Sequence, residues 1–235
     1  MLNESKVATS DLARIYWVGG SKGGVGKSMM AVALIDYLLE SGQKVVLVEC
    51  DTSNPDVWKT YKDLLHTELV NLDERDGWIH LVNTCDARRE GVIVVNTAAR
   101  SSSAVRQYGS LLDSSLGELG RMIVLWMINR QRDSLELLKE FMDALPHADV
   151  HVVRNGYFGE EKKFELYNGS KIRTAVETRG GKSLDLPDLA DRVADDLYIQ
   201  RIPVSVAAKT LPIGNRAELT RWRGEVRKLM LAVSA

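Results

Sequence analysis

Strand-length runs dominated by apolar residues recur along the chain at residues 15–18, 44–50, 92–95, 122–128 and 150–155. Runs without polar alternation are what strands buried on both faces of a parallel sheet require. Between them, apolar positions fall at helical spacing. Met30, Leu34, Tyr37 and Leu38 mark one helix, closed by Ser41 and Gly42. Trp58, Tyr61, Leu64 and Leu65 mark the next, with Asn54 as its N-cap and Pro55 at its first position. A short strand is expected at 68–72, followed by a helix carrying Trp78, Leu81, Val82 and Cys85. Val105, Tyr108, Leu111 and Leu112 predict a short amphipathic helix within 101–119, and Asp133-Ser134 opens another that ends near Pro146. The polar stretch 157–182 is expected to hold helices near 164–167 and 171–176, and 183–189 a last strand and its following loop. A C-terminal helix over about 217–233 places Leu219, Trp222, Val226, Leu229, Met230 and Val233 on one stripe. This alternation predicts right-handed βαβ crossovers and an α/β fold: a three-layer, doubly wound, mainly parallel sheet with helices on both faces. With no repeat, low-complexity tract or linker, residues 1–235 read as a single domain, of which 1–13 form a polar lead-in.

Composition narrows the class without naming a function. At 235 residues, with 45% apolar and 27% charged positions, the chain can bury a sizeable core. It has no run long enough to span a membrane and no signal-peptide pattern. Cys50 and Cys85 have no metal-ligand spacing, and the four histidines are scattered, so a reduced cytoplasmic protein is expected. The formal charge of −1 is unevenly spread. Residues 201–235 carry seven Lys/Arg against two Glu, a net of +5, which leaves −6 for the first 200 residues. A basic end on an acidic chain fits a polyanionic partner or a solvated helix face.

The chemistry concentrates between the first strand and the first helix, in Gly19-Gly20-Ser21-Lys22-Gly23-Gly24-Val25-Gly26-Lys27-Ser28. Glycines allow backbone N–H groups to converge on phosphate oxygens, and the following helix N-terminus adds partial positive charge. Such a P-loop would bind through Ser21, Lys22, Gly23, Gly24, Val25, Gly26, Lys27, Ser28 and Met29, with Lys27 on the β/γ-phosphates and the Ser28 hydroxyl on Mg²⁺. The fit to G-x-x-x-x-G-K-[ST] is imperfect, since its first glycine falls on Ser21, and the loop carries a second lysine, Lys22. In this K-G-G-V-G-K-S pattern the chain resembles the deviant Walker A ATPases of the ParA/MinD type. The resemblance implies a P-loop NTPase fold, ATP and Mg²⁺ as ligands, and an ATP-dependent homodimer in which Lys22 reaches the partner's nucleotide.

Further positions follow from the same resemblance. The family's acidic pair D-x-D falls on Glu49 and Asp51, and Asp51 is the expected catalytic member, orienting water and organising Mg²⁺. The strand 92–95 resembles a Walker B strand, but Asn96 stands where the family has Asp. An amide keeps an acceptor for a Mg²⁺-bound water but loses the charge, so either hydrolysis is slow or Asp51 carries more of the metal's electrostatics. Asn155 is the expected adenine contact. Pro187 is the expected wall of the base, with Ile202-Pro203 competing for that role. Residues 157–182 are longer than the usual connection and read as an insertion. The basic C-terminal helix has three readings: packing on the sheet, contact with DNA phosphates, or, least expected, a membrane surface.

The implied function is a slow ATPase switch, with a protein partner, acting in plasmid partition, conjugation or intracellular positioning. The length and the run Asp51-Thr52-Ser53-Asn54-Pro55 look most like plasmid accessory relatives of the TraL/StbB type. Two other readings remain open at this point: a small-molecule enzyme on a related P-loop fold, and a nucleotide-binding module with little hydrolysis. Without a cluster-ligand motif, an iron–sulfur carrier is disfavoured.

Overall fold

The computed structural model describes residues 13–20, 23–99 and 102–234. Ser21 and Lys22 lie outside the described residues, as does most of the expected lead-in. The first strand, β1 (Ala13–Gly20), takes the centre of a seven-stranded sheet. The other strands are β2 (Val45–Glu49), β3 (His66–Leu69), β4 (Val92–Asn96), β5 (Gly120–Ile128), β6 (Asp149–Asn155) and β7 (Ser183–Leu186). Their order is β3-β2-β4-β1-β5-β6-β7, and every pairing is parallel. The order reverses at β1, so the crevice at the carboxyl ends of the strands opens beside the loop that leaves it.

Two helical layers cover the sheet. One contains α1 (Lys27–Glu40), α2 (Asp56–Tyr61), α8 (Asp191–Gln200), α9 (Val204–Thr210) and α10 (Ile213–Ser234), packed with Tyr16, Val18, Leu47 and Val94. The other contains α3 (Arg75–Ala87), α4 (Ser102–Leu119), α5 (Asp133–Ala144), α6 (Glu165–Asn168) and α7 (Lys171–Thr178), packed with Ile15, Trp17, Val48 and Val95. Alternate residues of one strand thus feed opposite cores, which is why β1, β2 and β4 read as continuous apolar runs. On the second face Trp17 stacks on Trp78 with ring centroids 5.9 Å apart.

Several boundaries differ from the sequence expectation. Pro55, not Asn54, is the N-cap of α2, and the Asn54 amide donates to Asp56 at 2.8 Å. That helix stops at Tyr61, so Leu64 is exposed instead of facing the core. The short strand lies at His66–Leu69, two residues earlier than expected, because it is an edge strand whose His and Glu side chains are partly in water. Helix α4 runs 18 residues and is not short. Helix α10 begins four residues before the expected start.

The stripe expected on α10 is buried as a whole. Of the basic residues around it, Arg223 donates to Asp36 on α1 at 2.7 Å, while Arg221 and Lys228 pair with Glu218 and Glu225 on their own helix. This helix completes one face of the sheet, and no described helix is long and apolar enough to cross a membrane.

Candidate functional site

Leaving β1, the chain turns through Gly24 (φ 76°) and Gly26 (φ 100°), both in the left-handed region where a side chain is strained. Gly26 caps α1 without a side chain, and its carbonyl accepts the Met30 N–H at 2.9 Å. The N–H groups of the first helical turn therefore have no intrahelical acceptor and face the loop. Val25, between the two glycines, is fully buried and anchors the loop in the core. Lys27 is the first helical residue and only 7% exposed. Burial lowers its pKa, and the Asp51 carboxylate partly offsets that effect.

This loop forms one side of a cleft of about 650 Å³, a volume that accommodates a nucleotide-sized ligand. Gly23, Gly24, Gly26, Lys27, Ser28 and Met29 all line it, and so do Asp51, Asn155 and Pro187. The structure thus brings together every expected site residue that it describes except Val25, whose side chain points into the core, and Asn96, which is 1% exposed. Of the two proline loops, Pro187 borders the cleft, whereas Pro203 caps α9. The Pro187 carbonyl is held by the Trp222 indole N–H at 2.9 Å, which ties this wall to α10.

A further part of the lining was not foreseen. Asp191, Ala194, Asp195 and Tyr198 reach the cleft from α8. The signal for this helix was weak, since only Val193 and Leu197 are buried in it, although their spacing of four and Asp191 in the first turn would have marked it. Burial raises the Asp188 pKa, and the neighbouring Asp191 raises it further. Burial likewise raises that of Tyr198, whose phenol lies beside the Ser28 hydroxyl. The cleft therefore carries groups of both signs: the amides and Lys27 suit an anion, while the aspartates suit hydrogen-bond donors or a cation.

Beneath the cleft, Glu49 and Asn96 sit side by side on β2 and β4 in the same register. The Asn96 amide donates to Glu49 Oε1 at 2.9 Å, and the Asp51 N–H donates to the same oxygen at 3.0 Å. Glu49 is 0% exposed, and burial pushes its pKa up to about 7. Glu49 Oε2 and Asn96 Oδ1 are buried acceptors without a close hydrogen-bond donor, although the Trp58 N–H faces the Glu49 carboxylate. Two orphaned acceptors next to Asp51 can be satisfied by a proton on the carboxyl or by a metal-bound water, so this corner fits a hydrated cation. Among the described residues no three His, Cys, Asp or Glu side chains form a metal-binding group. Cys50 and Cys85 are buried free thiols, and burial pushes Cys85 up to about 12.

Comparison with known proteins gives a consistent picture. Residues 16–160 match the family described as the CobQ/CobB/MinD/ParA nucleotide binding domain. The chain is 66% identical over 220 residues to "Protein MobD" of Acidithiobacillus ferrooxidans, covering 93% of this chain and 97% of that protein. It is 25% identical to an Escherichia coli "Protein TraL" over 77% of this chain and 79% of that one. Among solved structures, the septum site-determining protein MinD of Pyrococcus horikoshii, complexed with Mg-ADP, aligns with a TM-score of 0.57 at 15% identity, over 94% of this chain and 99% of that one.

Proposed function

The chain belongs to the CobQ/CobB/MinD/ParA nucleotide-binding family, and from that premise we propose that it is an ATP-dependent dimerising switch acting in plasmid conjugation or partition. The observation that carries the proposal is the loop itself. Two left-handed glycines, a bare helix N-terminus and a nearly buried Lys27 converge on one end of a nucleotide-sized cleft. Fold similarity to a MinD complexed with Mg-ADP supports the choice of nucleotide and metal, and similarity to MobD and TraL proteins supports the plasmid setting.

In this reading Lys27 and the first-turn N–H groups bind the β- and γ-phosphates, and the Ser28 hydroxyl and Asp51 hold Mg²⁺ together with the phosphates. A bound Mg²⁺ would supply neutralisation of the phosphates' negative charge. Glu49 Oε2 and Asn96 Oδ1 would accept hydrogen bonds from waters of a cation held there, and Asp51 would orient the attacking water. Pro187 walls the base. Lys22 acts in trans on the partner subunit's nucleotide, so the γ-phosphate stabilises the dimer and hydrolysis releases it. A protein partner would read the dimer state. DNA contact through α10 is the weaker output, because three of its basic residues are already paired.

Light scattering without nucleotide, with Mg²⁺-ADP and with Mg²⁺-ATP tests the switch, with phosphate release recorded on the same samples. A dimer is expected with ATP alone. Lys22→Ala is expected to bind ATP yet stay monomeric, and dimerisation equal to wild type would refute the trans role. Lys27→Ala is expected to weaken ATP binding about 30-fold, the loss of a charge-assisted contact in a dry site, as read by fluorescent nucleotide titration.

A second reading, a nucleotide-holding module with little hydrolysis, is favoured by Asn96, whose amide is spent on Glu49. Under that reading, nucleotide binds tightly, the oligomeric state ignores it, and phosphate release stays at the buffer rate.

A further inference from the structure

We infer that Asn155 is a positioning residue for the P-loop, acting on the phosphate site. The inference rests on reading the cleft as a nucleotide site. Asn155 ends β6, and each end of its amide makes one hydrogen bond within the protein. Nδ2 donates to the Val25 carbonyl at 3.0 Å, across 130 residues of sequence, and Oδ1 accepts the Tyr157 N–H at 3.1 Å. The residue is 8% exposed.

The loop is shaped around this contact. A Cβ built on Gly26 would overlap Asn155 Nδ2, so glycine is required there for the close approach as well as for its φ of 100°. Val25 is thereby fixed from two sides: its side chain is wholly buried in the core and its carbonyl is held by Asn155. The peptide that joins Val25 to Gly26 is planar and trans, so holding its C=O toward Asn155 turns the Gly26 N–H the opposite way. One amide of the phosphate cradle is thus aimed from the end of a strand two places from β1 in the sheet, beyond β5.

Asn155 is itself held firmly. Its neighbour Arg154 points to the other face of the sheet, as alternation along a strand demands. The Arg154 guanidinium binds both oxygens of Asp185 on β7 at 2.7 Å, and also reaches Glu161 at 2.6 Å and Asn168 at 3.3 Å. The segment between β6 and β7 is therefore clamped to the same strand end that holds the loop.

The test compares wild type, Asn155→Ala and the near-isosteric Asn155→Asp, which keeps the acceptor for Tyr157 but loses the donor to Val25. Calorimetry measures binding of ATP, GTP and inorganic tripolyphosphate, which has no base. Amide hydrogen exchange is followed on the nucleotide-free proteins. Expected is a loss of about tenfold for tripolyphosphate as well as for ATP and GTP, with faster exchange confined to the loop and first turn of α1. Unchanged tripolyphosphate affinity with a shifted ATP-to-GTP ratio would overturn the inference and make Asn155 a base contact. If wild type binds none of the three, the nucleotide reading fails. Exchange then decides the Asn155 role alone, supporting it if loop protection falls in Asn155→Asp and overturning it if protection stays at the wild-type level.

Discussion

Trp222→Ala is expected to lower the unfolding free energy by about 4 kcal/mol, the usual cost of emptying a buried tryptophan site. Trp222 is 0% exposed and sits in the core that joins α1 to α10. The second part of its role is polar, since the indole N–H holds the Pro187 carbonyl at the wall of the cleft. Trp222→Phe keeps most of the packing and removes only that donor, and is expected to cost about 1–2 kcal/mol. Urea unfolding of the two variants separates these contributions. If Trp222→Ala cost less than about 1 kcal/mol, the view of α10 as an integral layer of the fold would be untenable.

Glu49→Gln is expected to do the opposite and stabilise the nucleotide-free protein, in a pH-dependent way. The Glu49 carboxyl is fully buried, and its pKa is raised from 4.5 to about 7. The folded state therefore holds a proton that the unfolded state has lost, and stability falls as pH rises from about 4.5 through about 7. At pH 8 the accumulated penalty is about 3 kcal/mol. Glutamine retains an oxygen for the Asp51 N–H and the Asn96 amide without the charge. Urea melts should show a gain of about 2–3 kcal/mol at pH 8 and almost none near pH 4.5. A gain of the same size at both pH values would mean that ionisation is not its source. A group that destabilises its own fold is what a site built for a cation would contain.

The strands were legible because burial on both faces leaves an unbroken apolar signature, as in Val92–Asn96. The P-loop was legible because its chemistry is local, and most of the described residues expected to bind do meet in one cleft. What escaped were relations between distant positions. The contact of Asn155 with Val25 spans 130 residues, and that of Asn96 with Glu49 spans 47. Both depend on strand order and register, which no window of sequence contains. The edge strand His66–Leu69 was misplaced because half-solvated residues blur the periodicity. Helix α8 escaped because so little of it is buried.

The central place of β1 has a consequence for how the protein comes off the ribosome. Its neighbours are β4, where Arg14 pairs with Val92, and β5, where it pairs with Arg121. At roughly 5–20 residues per second, translation supplies the second of these partners on the order of 5–20 s after β1 itself is made. Until β4 is made, Ile-Tyr-Trp-Val at residues 15–18 has neither of its strand neighbours to join, and until β5 is made it has only one. A nascent chain ending before residue 120 carries the whole phosphate-binding loop but lacks β5 and the Asn155 contact that holds the Val25 carbonyl. Nucleotide capture would accordingly mark the late stage of biogenesis, and the early stage is where a chaperone would find its client.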